Sequence, residues 1–274
     1  MPFQHHRLSR VVQSLLIACS LCAGAAPAFA TTLDFETHTN IVTPVLGSGD
    51  TAYAGRDRFT TAGYTATVAD SAYAQSLPDY EPGAAGVIVD HSDRLACSIV
   101  TCPGSFFNQS HYYAGLNDSS LTLARGDGLA FHLFSLDFAF VAPTYDLPNL
   151  SYGQLVLSAT AEGSDDPVTR NMNLPGQFLD GNFIFDTWQL DSVFSGLNLT
   201  SLTISACVFD DGLNCVNGAT SYNLAQFAID NLQVEAVPEP QDWLVFGSGL
   251  GLLAAIARRR CRTGAAAGVA GGAA

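Results

Sequence analysis

The chain contains no lysine, and six of its 11 cationic side chains, all arginines, stand at its two ends. Arg7 and Arg10 open the sequence, while Arg258, Arg259, Arg260 and Arg262 lie near its close. Between residues 31 and 236 only Arg56, Arg58, Arg94, Arg125 and Arg170 face 23 acidic residues, a net of −18. A body so negative repels phosphate backbones and anionic lipid headgroups, which excludes nucleic acid as a partner. Neutral sugars and divalent cations stay compatible. Charge of either sign is scarce at 13%, against 48% hydrophobic residues, so the chain can bury a core and is no disordered polar tract. Catalytic signatures are missing as well. None of His38, His91, His111 and His132 stands in an H-E-x-x-H, and no G-x-S-x-G elbow occurs between the ends. No residue earns a catalytic assignment, and the expectation is a protein that is not an enzyme.

What the sequence does have begins with its ends. Arg7 and Arg10 precede an apolar stretch from Val11 to Ala26, and Ala28-Phe29-Ala30 places small residues at −3 and −1. This predicts a secretory signal peptide over residues 1–30, cleaved after Ala30 following passage through the Sec translocon. Leu16-Ile17-Ala18-Cys19 also matches a lipobox, but cleavage there leaves an apolar segment at the short limit of about 7–15 residues, so Cys19 lipidation is the weaker alternative. At the other end, Trp243–Ala257 runs for 15 residues without a charge. Only with its flanks does it approach the roughly 20 residues of a membrane span, and the arginines after it would stay cytoplasmic.

Pro238-Glu239-Pro240, the apolar run 243–257 and Arg258, Arg259 and Arg260 resemble, in that order and position, the PEP-CTERM sorting signal. Two prolines keep the backbone extended and outside the helix, which suits a protease cleft. The resemblance implies processing by exosortase in a Gram-negative bacterium that makes exopolysaccharide. It implies an inner-membrane-anchored precursor, then release to the cell surface or extracellular matrix. Gln226-Phe227-Ala228-Ile229-Asp230 also looks like a PEP-CTERM subgroup with Q-F-x-x-D in its last strand. The sorting signal is placed at 237–262 and a short cytoplasmic tail at 263–274; that tail is longer than such signals usually carry.

Residues 31–236 read as one all-β domain. Short runs rich in β-branched and aromatic residues are cut by Gly, Pro, Asn and Asp: Leu33–Glu36, Tyr64–Val68, Gly86–Val89, Leu121–Ala124, Ala130–Val141, Gln154–Thr160, Thr187–Asp191, Leu202–Phe209 and Phe227–Val234. The expected architecture is an antiparallel, jelly-roll-like β-sandwich. Within "LFSLDFAF", alternation assigns Leu133, Ser135, Asp137 and Ala139 to one face and Phe134, Leu136, Phe138 and Phe140 to the other. Residues 71–82 and 165–181 read as surface loops. Cys97 with Cys102 and Cys207 with Cys215 are the favoured disulfides, since each closes a short loop and neither pair has the two-residue gap of a zinc knuckle.

Asp230 sits among apolar neighbours near the end of the last run, and a buried carboxylate needs a partner. Calcium, with six to eight oxygen ligands, is one candidate; a neighbouring backbone N–H is the other. The first and last strands resemble those of carbohydrate-binding jelly rolls. That resemblance implies a structural calcium held by Asp34, Glu36 and Asp230, with Asn231 as a further candidate. Asp90, His91 and Asp93 form a weaker acidic cluster, read mainly as a solvated loop, and "FDDGLN" reads as the turn of the second disulfide loop. Three functions stay open: an exosortase-sorted matrix or surface protein, a carbohydrate-binding module of the same fold, and a secreted hydrolase. Tyr112, Tyr113, Tyr145, Tyr152 and Trp188 are the aromatics on which sugars could stack.

Overall fold

In "YTATVA", "SLTLAR" and "SLTISA" an apolar side chain alternates with a hydroxyl-bearing or small one, the period of a strand with one face in a core. A computed structural model describes residues 30–40, 51–90, 97, 101–104, 108–144, 146–218 and 220–237, with 248–249, 251–253 and 255–256. Chain contacts divide it into two units, Phe29–Val237 and the two ends together. In the second unit residues 248–249, 251–253 and 255–256 are helical, and no helix among the described residues is long and apolar enough to cross a membrane.

The first unit is almost entirely antiparallel β-structure. Its first six strands are β1 (Ala30–Leu33), β2 (His38–Asn40), β3 (Thr51–Ala54), β4 (Arg58–Thr61), β5 (Tyr64–Ala69) and β6 (Ala84–Val89). Next come β7 (Tyr112–Gly115), β8 (Ser120–Arg125), β9 (Phe131–Phe140), β10 (Gly153–Ala161) and β11 (Val168–Asn173). Last are β12 (Asp186–Gln189), β13 (Leu199–Phe209), β14 (Cys215–Val216) and β15 (Phe227–Ala236). Two helical turns interrupt them, α1 (Ala72–Gln75) and α2 (Ser192–Ser195). Ser71 caps α1 through its hydroxyl, and Asp191 caps α2 through its carboxylate.

One layer runs β2-β4-β5-β8-β13-β10-β11, with β14 beside β13. The other runs β3-β6-β7-β15-β9-β12, with β1 pairing the far half of β15. The layers join where Leu199 of β13 meets Phe131 of β9, which makes a nearly closed sandwich. Leu121, Leu123, Leu202, Ile204, Leu155 and Leu157 from the first layer pack on Leu133, Phe138, Phe140, Phe227 and Ile229 from the second. Each such fully buried side chain contributes about 1.5–3 kcal/mol of transfer free energy.

The strand β9 departs from the expected alternation. Gln233 of β15 pairs Ser135, and the next residue, Val234, pairs Leu133, so Phe134 is passed over. This bulge switches faces, and Phe131, Leu133, Leu136, Phe138 and Phe140 all enter the core. The opposite face is covered too, because Ala139 and Val141 join a second cluster with Val87, Val89, Tyr112, Ala114, Phe185 and Ala228. A strand expected to be half-buried is therefore buried on both faces over its second half. The first strand ends at Leu33 rather than Glu36, and β11 occupies part of the stretch expected as a loop.

Candidate functional site

Beyond Leu33 the chain turns sharply. Asp34 Oδ1 accepts from the Glu36 N–H at 3.2 Å, and Phe35, at φ 56°, drives its ring into the core. Glu36 accepts from the His111 backbone N–H at 2.9 Å and meets His111 Nδ1 at 2.5 Å. Burial alone would raise the Glu36 carboxyl, but the bonds from His111 outweigh it and hold it below its usual range. On its other side His111 Nε2 lies 3.5 Å from Asp90. His91 and Asp93 lie outside the described residues.

Asp230, with 0% exposure, takes neutral partners. Asn108 Nδ2 donates to it at 2.7 Å, Ser110 Oγ at 2.5 Å, and the Asn231 N–H at 2.7 Å. Burial pushes its carboxyl up to about 6, against the lowering effect of those donors. Asn231, left-handed at φ 50°, donates Nδ2 to Asp137 at 2.9 Å. Segment 108–111 thus touches both Glu36 and Asp230, but through different residues, while the bond of Asp34 is local. Among the described residues no three His, Cys, Asp or Glu side chains gather where they could hold a metal.

Cys97 is bonded to Cys102 and Cys207 to Cys215, the local pairing expected. Asp210 Oδ1 accepts from the Gly212 and Asn214 N–H groups, which makes "FDDGLN" a tight turn. Ala30 opens β1 opposite Glu235. Pro238, Glu239, Pro240, Arg258, Arg259 and Arg260 lie outside the described residues. The aromatics expected as a stacking platform are placed otherwise. Tyr112 and Tyr113 are buried at 3 and 0% exposure because β7 is covered on both faces, and Trp188, at 6%, is the inward residue of β12 and packs into the core. Tyr152 stacks on Phe140, and Tyr145 lies outside the described residues.

A pocket of about 490 Å³ opens instead on the outer face of the first layer. Ser120, Thr203 and Ser205 line it from the sheet, Asp70, Ala72, Gln75 and Ser76 from the end of β5 and α1, and Asp118, Asn217 and Gly218 from two loops. Asp70 is fixed by Tyr80 Oη at 2.5 Å and the Gly83 N–H at 3.2 Å. A Cβ at Gly55 would fall 2.1 Å from Asp70 Oδ2, so glycine there makes room for that carboxylate. Asp118 accepts the N–H groups of Asn223, Leu224 and Ala225, and so pins the loop that carries Asn217. Tyr73 of α1 and Tyr222 of that loop meet edge to face at 5.1 Å, and Tyr222 is 51% exposed. Two carboxylates, amides and hydroxyls with no base line the pocket among the described residues. Sequence reasoning missed this site; the period-2 hydroxyls on β5, β8 and β13 were the available signal.

No protein-family model and no curated protein matches the sequence. Among solved structures, the chain is similar to the CBM22-1–GH10 modules of Clostridium thermocellum endo-1,4-β-D-xylanase 10B complexed with xylohexaose. Identity there is 11%, over 77% of this chain and 29% of that one, with a TM-score of 0.30. It is also similar to TmCBM61 in complex with β-1,4-galactotriose, at 8% identity over 45% and 69% of the two chains, with a TM-score of 0.24. The chain spans less than a third of the xylanase chain's length. At these scores neither likeness bears on function.

Proposed function

We propose that this is an exported, exosortase-sorted, non-enzymatic surface or matrix protein whose jelly-roll-like sandwich binds carbohydrate. The observation that carries the binding role is the pocket over Ser120, Thr203 and Ser205. Its lining offers hydroxyls that donate and accept, amides that do both, and carboxylates that accept from sugar hydroxyls. Exposed Tyr222, braced by Tyr73, supplies a ring for the apolar face of a sugar. The export and sorting part rests on the two end segments. Calcium at Asp34, Glu36, Asp230 and Asn231 belongs to the same reading, and requires Asp230 to exchange Asn108 and Ser110, Glu36 to leave His111 and Asn231 to leave Asp137 for the cation.

A glycan array probed with the full chain in detergent tests the binding role. Gln75→Ala and Tyr222→Ala should each weaken the strongest signal at least tenfold while leaving the melting temperature within about 2 °C. Unchanged binding by both variants would remove the pocket from the reading.

A further inference from the structure

The floor of the pocket is part of a larger pattern. Thr67 of β5 pairs Thr122 of β8, Thr122 pairs Thr203 of β13, Thr203 pairs Ser158 of β10, and Ser158 pairs Thr169 of β11. Five hydroxyls thus stand in register across five adjacent strands. The Oγ1 atoms of Thr122 and Thr203 lie 2.9 Å apart. Ser120 and Ser205 form part of a second rank beside the first, and Thr160 with Ser201 part of another. The outward positions of β5, β8, β13 and β10 are Thr65, Thr67, Ala69, Ser120, Thr122, Ala124, Ser201, Thr203, Ser205, Gln154, Val156, Ser158 and Thr160, none of them charged. In a body of net −18 this is a neutral face.

Resting on the carbohydrate-binding reading, we infer that this face takes an internal segment of a linear, neutral polysaccharide lying across the strands. Strands stand about 4.8 Å apart, so the five-hydroxyl row spans about 19 Å. That exceeds one sugar ring, and the row continues past the pocket on both sides, to Thr67 and to Ser158. Twist of roughly 20–25° per strand turns the row by about 80–100° over its length. A flat crystalline face could not follow it; a single flexible chain can. Charge decides the class. Asp70 and Asp118 in the pocket lining and the acidity of the surrounding body oppose an anionic polymer, with Arg58, paired to Thr67, the cation at that end of the row. The hydroxyl rows need no charge to pair with sugar hydroxyls.

Calorimetry with the full chain tests this, using neutral gluco-, manno- and galacto-oligosaccharides of two to six units and oligogalacturonides of the same lengths. One neutral series should gain at least tenfold in affinity between two and four units and then level off, with oligogalacturonides at least tenfold weaker. The Thr67→Val, Ser158→Ala double variant, altered outside the pocket, should bind the disaccharide like the wild type but lose the gain with length. If it keeps that gain, the row is not the binding track, although the pocket reading stands. Equal affinity for oligogalacturonides overturns the neutral class, and no binding by any series overturns the pocket reading as well.

Discussion

Asp230 shows how much one residue can disclose from sequence and where that stops. An aspartate in an apolar run announces a need for a partner, but the partners come from Asn108 and Ser110, some 120 residues away, and nothing local marks them. Its folded-state carboxyl, raised to about 6 by burial, lies above that of the unfolded chain, so the native state holds its proton longer. The contribution to stability is then fully present below about pH 4 and falls as pH rises toward 6. This is the reverse of Asp191, whose carboxyl, bonded by Arg170 and by the α2 N–H groups, is held down to about 2. With chelator present, urea midpoints of wild type and Asp230→Asn should differ most below pH 4. The advantage of the wild type should shrink by about 2–3 kcal/mol by pH 6 to 7. A pH-independent difference would mean that Asp230 stays ionised. The proposed calcium would reverse the preference, because a cation stabilises the ionised form. At a hundredfold excess over its dissociation constant, calcium should add about 2.7 kcal/mol at pH 7, raising the melting temperature of wild type but not of Asp230→Asn. If chelator and calcium leave the wild-type transition unmoved, hydrogen bonding is the whole role of Asp230.

At the scale of elements, strands with one clear inward face were legible. Tyr64–Ala69, Ser120–Arg125, Gly153–Ala161 and Leu199–Phe209 lie where alternation put them. Elements without that pattern were not. β11, "VTRNMN", is an edge strand exposed along most of its length, so no apolar period announces it. The bulge in β9 depends on its pairing with β15, which a single segment cannot reveal. Another hidden device is the pair Gly86 and Gly115, register partners on β6 and β7. A Cβ at Gly86 would fall 2.2 Å from Tyr113 Oη, and one at Gly115 2.4 Å from the ring of Phe227. Both rings are fully buried and have nowhere to retreat. Gly115→Ala should therefore cost about 1–3 kcal/mol, read as a lowered urea midpoint. Gly128→Ala separates crowding from backbone strain. At φ +77° with nothing within 4 Å of its Cβ, it should cost only about 1–2 kcal/mol from the left-handed backbone, with no ring displaced. Near-ultraviolet circular dichroism should change for Gly115→Ala and not for Gly128→Ala. The same spectrum for both would show that the Phe227 pocket yields.

For the whole molecule, the pairing of β1 with β15 matters most. Ala30 lies opposite Glu235 and Leu33 opposite Leu232, so the sandwich begins and ends side by side. Ala30 and Glu235 thus lie next to each other, while the pocket lies on the outer face of the other layer, which does not contain β1 or β15. The proposed sorting step is testable at this end of the sandwich. If exosortase acts at Pro238-Glu239-Pro240, cleavage removes the apolar run and Arg258–Arg262 but leaves β15 intact, since that strand ends at Ala236. Intact-mass analysis of protein recovered outside the cell should show a chain starting at Thr31 and ending near Pro240, with two disulfides. In cells lacking exosortase the same mass should be absent, and protein carrying the arginine cluster should accumulate in the membrane fraction. Released protein that still carries Arg258–Arg262, from cells with active exosortase, would overturn the sorting assignment and leave the fold and its neutral face as they stand.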